Sequence, residues 1–146
     1  MLKRSKIMDV LYGEKTAEKV FERIEYLDHA LNEEIQKIAY DHYWALPGIS
    51  TRDKSLVTIT SLMVMGKEEQ TRIHLNGFLN SGGTINETMA LLFYLGKKIN
   101  AISWTKGFQA LQDVLAEREM SKNLILDITN QFNKQTLNVT ARASCK

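Results

Sequence analysis

The chain has 146 residues, of which 44% are hydrophobic and 25% charged, and its formal net charge is +2. That length and composition fit one ordinary globular domain with an independent core. The charge balance is too slight to argue for a nucleic-acid or membrane partner, and the interrupted basic cluster Lys3-Arg4, Lys6 reads as a solvated N-terminus.

In chain order, Met1 to Val10 lacks the apolar run of a signal peptide, so the sequon Asn138-Val139-Thr140 carries no weight. Val20, Phe21, Ile24 and Leu27 recur at helical spacing. After a turn near Asp28, Leu31, Ile35, Ile38 and Ala39 predict the inner face of a second helix. His42 falls on that face and reads as a core or interface histidine, and Tyr40, Tyr43 and Trp44 read as an aromatic packing knot. Pro47, the sole proline, ends this helix and opens a bend. Ser50 then offers an N-cap, with Asp53 placed at the positive end of the helix that follows.

That next segment, Thr51 to Met65, contains the β-branched run Val57-Thr58-Ile59-Thr60, which propensity alone would make a strand. Its length, cap and stop argue for a helix instead. Its apolar stretch, Leu56 to Met65, is about half of the roughly 20 residues a membrane span requires. A short turn at Gly66-Lys67 leads to a helix carrying His74 and closed by Gly82. Thr84 to Glu87 is a capping box, opening a helix through Met89, Leu92 and Phe93. Ile102, Phe108, Leu111 and Leu115 mark a further helix, and Leu124, Ile125, Ile128 and Phe132 a last one. The expectation is an all-α fold of about six to seven helices, with residues 1–120 as the domain and 121–146 as a helical extension and tail.

Chemistry-bearing residues are few. The single cysteine, Cys145, can form neither an internal disulfide nor a redox pair. His29, His42 and His74 have no ligand spacing for a metal, no glycine-rich loop follows a strand, and no cofactor is expected. The helix over Thr51 to Met65 is apolar most of the way round, with Leu56, Ile59, Leu62 and Met63 on one stripe and Val57, Val64 and Met65 elsewhere. Such a helix needs neighbours on every side, some of which a second subunit can supply.

The stretch Thr51 to Gly82 resembles the core of the carboxymuconolactone decarboxylase family. Lys54-Ser55-Leu56-Val57 stands for its Arg-Ser-Leu-Val element, followed by His74-Leu75 with Gly77 and by Leu79-Asn80-Ser81-Gly82. Val10-Leu11-Tyr12-Gly13 and Trp44-Ala45-Leu46-Pro47-Gly48-Ile49 resemble further family elements, extending the likeness to about Met8 through Glu117. The alkylhydroperoxidase branch carries a Cys-x-x-Cys ending four residues before the histidine, and Lys67 and Gln70 stand there instead. Ser55 also replaces that branch's relay glutamate, so thiol peroxidase activity is not expected.

The lack of a signal peptide and of a spanning segment leads to the expectation of a cytoplasmic protein, and the resemblance implies a trimer or hexamer and a cofactor-independent lyase or isomerase acting on a small carboxylated substrate. His74 would be the acid–base group that protonates a dienolate left by loss of carbon dioxide. Gln70, one turn before it, and Lys54 and Ser55 on the preceding helix would bind substrate. Arg52, Arg72, Lys97 and Lys98 are the other cations near the motif. Two helices joined by so short a turn run antiparallel, which predicts Lys54 nearer Asn80 than His74. The sequence departs from the family at Leu46, in place of an arginine, and at Lys98 to Ile102, where a Tyr-x-Gly-x-Pro loop is missing. The alternative is a non-catalytic oligomeric helical module.

Overall fold

The computed structural model describes residues 2–120 and, beyond them, Leu126, Asn130 and Lys134, and the regular elements among them are helical. In chain order these are α1 (Lys6–Tyr12), α2 (Glu14–Leu27), α3 (His29–Glu34) running on without a break as a π-helix (Ile35–Trp44), α4 (Thr51–Val64), α5 (Glu68–Asn80), α6 (Ile85–Leu95) and α7 (Ala101–Glu117). The all-α expectation holds. The helix expected over Leu124, Ile125, Ile128 and Phe132, the sequon and Cys145 lie outside the described residues. No helix among the described residues is long and apolar enough to cross a membrane.

The caps work as the sequence implies. Ser50 Oγ accepts from the Asp53 amide at 3.0 Å, and Thr84 and Glu87 bond each other's backbone amides reciprocally. The β-branched run survives inside α4 because its hydroxyls bond their own helix. Thr58 donates to the Lys54 carbonyl at 2.8 Å and Thr60 to the Leu56 carbonyl at 3.0 Å.

Helix α5 is the hub, packing against α1, α4 and α7. Its Leu75 and Phe78 are fully buried with Ile59 and Met63 of α4, Leu92 of α6 and Val114 of α7. Each such side chain contributes roughly 1.5–3 kcal/mol by leaving water. A smaller cluster joins Met8 and Leu11 of α1 to Ala17 of α2 and Tyr40. The two meet at Gly77, where an added Cβ would lie 2.8 Å from the Leu11 side chain and 3.0 Å from its Cα. Only glycine lets α1 cross α5 so closely.

Between His29 and Trp44 the structure departs from the expected face. Helical spacing puts Leu31, Ile35, Ile38 and Ala39 inside, but Leu31 and Ile38 are exposed and Asn32, Gln36 and Tyr40 are buried. The physical reason is twofold. From Ile35 the helix widens to i→i+5 hydrogen bonds, so residues four apart stay on one face. Polar anchors then hold that face inward. Gln36 accepts from the Ser5 amide at 2.9 Å and donates to Asn32 at 3.1 Å, while Asn32 donates to Glu25 at 2.8 Å. Tyr40 meets the Tyr12 hydroxyl at 3.1 Å, and burial pushes its own ionisation well up. His42 is exposed, edge-on to Tyr43 at 5.1 Å, so the core reading of this histidine is corrected. Ile102, expected inside α7, is 72% exposed.

Candidate functional site

The π-helix delivers its last residue, Trp44, onto α5. The indole lies flat on the His74 imidazole, with ring centroids 5.4 Å apart and planes inclined by 8°. After Trp44, residues 45–50 turn through Pro47 and Gly48 (φ 100°) into α4. Lys54, in the first turn of α4, reaches back to that turn. Its ammonium donates to the Trp44 carbonyl at 2.7 Å and the Leu46 carbonyl at 2.5 Å, closing the carboxyl end of the π-helix.

These elements enclose a cavity of about 270 Å³ lined by Trp44, Ile49, Lys54, Val57, Thr58 and His74. Lys54 and His74 therefore share one cavity, although the antiparallel hairpin alone predicts Lys54 nearer Asn80. Asn80 instead donates to the Val10 carbonyl at 2.8 Å.

His74 is half-buried, and its Nδ1 is sealed from solvent with no hydrogen-bond partner among the described residues. Desolvation pushes its pKa from the ordinary 6.5 down to about 4, because burial penalises the imidazolium and no carboxylate offsets that. At neutral pH the ring is therefore uncharged. It can accept a proton or exchange hydrogen bonds, and it brings no positive charge to the cavity.

The remaining sequence-derived site residues are placed differently. Ser55 is fully buried, its Oγ lacks a partner among the described residues, and it is not in the cavity lining. Gln70 is exposed and does not line the cavity. Arg52 pairs with Asp53 and Glu87 and lies over the Phe78 ring at 5.1 Å. Arg72 pairs with Glu117 and Glu69, and Lys98 lies over the Tyr94 ring at 4.5 Å. Sequence reasoning missed Trp44, Ile49, Val57 and Thr58 as wall residues. The Trp44 to Ile49 turn was the available signal, since it resembles a family element. No group of three or more potential metal ligands occurs among the described residues.

The model of the carboxymuconolactone decarboxylase family matches residues 30–95, which carry Trp44, Lys54 and His74. Over these residues the chain is similar to that family. The match is narrower than the likeness read from Met8 to Glu117, because α1, α2 and α7 lie outside it. A relative described as 4-carboxymuconolactone decarboxylase, from Acinetobacter baylyi, is 30% identical over 82 residues, covering 56% of this chain. The chain spans 61% of that relative's length. No solved structure matches the chain.

Proposed function

We propose that this protein is a member of the carboxymuconolactone decarboxylase family and a cofactor-independent lyase or isomerase of a small carboxylated metabolite, with His74 as its acid–base group. The supporting observation is the shared cavity, which sets an uncharged imidazole and the Lys54 ammonium into walls otherwise formed by Trp44, Ile49, Val57 and Thr58. In a lyase the carbon–carboxylate bond breaks, its electron pair enters the ring as a dienolate, and an imidazolium at position 74 delivers the proton. In an isomerase, neutral His74 takes a proton next to a carbonyl and returns it at the far end of the dienolate. An anionic substrate beside the ring raises its proton affinity from the depressed value of the free protein, which favours the protonated intermediate in both cases.

The reading extends to assembly. Leu31, Ile38, Tyr43, Leu46, Ile49 and Val57 are all exposed, and the last two line the cavity. A trimer or hexamer in the cytoplasm would cover such a surface at the mouth of the site. Light scattering tests this, and a mass of 16.7 kDa alone would refute it.

The catalytic reading is tested by screening carboxylated lactones and unsaturated diacids, then repeating any hit with His74→Gln. We expect turnover to fall about 100-fold or more. Turnover unchanged in the variant would remove His74 from the mechanism, and a chain inert towards the whole panel would leave the non-catalytic helical module. Dithiol-dependent peroxide consumption should not exceed the rate without protein, because Lys67 and Gln70 stand at the two cysteine positions of the peroxidase branch.

A further inference from the structure

We infer that Lys54 is a positioning residue for His74: it clamps the carboxyl end of the π-helix, so that the indole delivered there fixes the plane of the imidazole. The inference rests on the catalytic reading above only for its kinetic consequence. A histidine ring turns in a broad torsional well about its last side-chain bond. A working imidazole is normally kept in place by a hydrogen bond at the nitrogen turned away from the substrate. Nδ1 of His74 is sealed and has no such partner among the described residues. The contact that sets the ring is the stack on Trp44, with centroids 5.4 Å apart and planes inclined by 8°. That separation lies within the range of favourable offset stacks.

Trp44 in turn needs holding. It is the last residue of the π-helix, and the final carbonyls of a helix have no partner within it. The Leu46 amide reaches the Tyr43 carbonyl only at 3.4 Å, which is long for such a bond. Lys54 makes the short ones, at 2.7 Å to the Trp44 carbonyl and 2.5 Å to the Leu46 carbonyl. One ammonium thereby ties the residue that carries the indole to α4, the helix packed against α5 and its His74. Lys54 acts on His74 through Trp44, by way of carbonyl, indole and imidazole. Without the ammonium the Trp44 carbonyl turns to water, and the indole loses its fixed seat on the ring. A misplacement of about 1 Å at a reacting group costs up to about 100-fold in rate. The loss therefore falls on turnover rather than on substrate affinity.

Proton NMR of the full chain reads the clamp without any ligand. A stacked indole shifts the carbon-bound imidazole protons of His74 upfield by its ring current, and their signals are assigned by their loss in His74→Gln. Trp44→Leu should move them downfield. Lys54→Met should move them most of the way to that position, and Lys54→Arg, whose guanidinium can serve the same two carbonyls, should restore them. The indole N–H of Trp104, bonded to the Leu92 carbonyl at 2.7 Å, should stay unshifted throughout, which separates local release from unfolding. If Lys54→Met fails to fold, Lys54→Gln, whose side chain is shorter, carries the same expectation. On whichever carboxylated lactone or unsaturated diacid proves a substrate, Lys54→Met and Trp44→Leu should each lower kcat about 10- to 100-fold with KM little changed. The double variant should be no worse than the worse single one, because the two residues act in series. Imidazole protons unmoved in Lys54→Met, or a raised KM with unchanged kcat, overturns the inference. Displaced protons in a protein that turns over none of these compounds uphold the clamp and refute the catalytic reading. His74-dependent turnover with the ring unmoved by Lys54→Met does the reverse.

Discussion

Two polar side chains, buried Gln36 and half-buried His74, sit in the same small protein under opposite conditions. Gln36 is 1% exposed and bonded through both ends of its amide, to the Ser5 backbone and to Asn32. His74 has a sealed nitrogen with no partner among the described residues, and its cover is an aromatic plane rather than a hydrogen bond. A satisfied buried group fixes position, since removing it orphans its partners. An unsatisfied one stays only where something else is gained. The α1–π-helix region is thus held by a polar network, and the α4–α5 region keeps two polar atoms, Ser55 Oγ and His74 Nδ1, without partners among the described residues.

The sharpest way to break this contrast is Gln36→Ala. It orphans the Ser5 amide and the Asn32 side-chain carbonyl, at about 1–3 kcal/mol each. We expect a loss of about 4 kcal/mol in urea unfolding. A loss under about 1 kcal/mol would show that the network is ornamental.

Proton linkage comes next in size. The folded pKa of His74 is about 4 against an ordinary 6.5, so the unfolded chain binds more protons across that interval. Stability present above pH 6.5 is lost as the pH falls towards about 4, by up to about 3 kcal/mol from this residue. Unfolding measured at a series of pH values should show this slope, and His74→Phe should flatten it.

Gly77→Ala tests the junction between the two regions. The new methyl meets Leu11 at 2.8 Å, which should cost about 1–3 kcal/mol and shift α1. The smallest effect sharpens the comparison most. His74→Phe at pH 7 keeps a ring against Trp44 and removes the unpaired nitrogen, so stability should hold within about 0.5 kcal/mol or rise slightly. A loss above about 2 kcal/mol would mean that His74 has a structural partner after all.

Much of the framework was legible in local chemistry. Ser50 and the Thr84–Glu87 box announce their helices because a cap needs specific residue types at fixed offsets. The length of the Thr51 segment correctly overruled its β-branched composition. What failed was periodicity between His29 and Trp44. A spacing rule built on 3.6 residues per turn cannot register a helix that widens part-way, nor a face chosen by Asn32 and Gln36 over Leu31 and Ile38. His74 was found because its surroundings resemble a family motif. Trp44 was read only as packing, since a stack between residues 30 positions apart leaves no local trace. Lys54 was singled out because it stands in the place of a family arginine, whereas two of its three protons belong to the backbone of the preceding turn.

The hydroxyls of α4 carry one more consequence. Thr58 and Thr60 each turn their proton inward to a carbonyl one turn back, so what they offer the surroundings is chiefly a methyl group. With exposed Val57 and Val64 on the same helix, a surface that composition counts as half polar meets water much as valine would. A neighbour settling on it has few hydroxyls to strip of water, so the segment is stickier than its letters suggest.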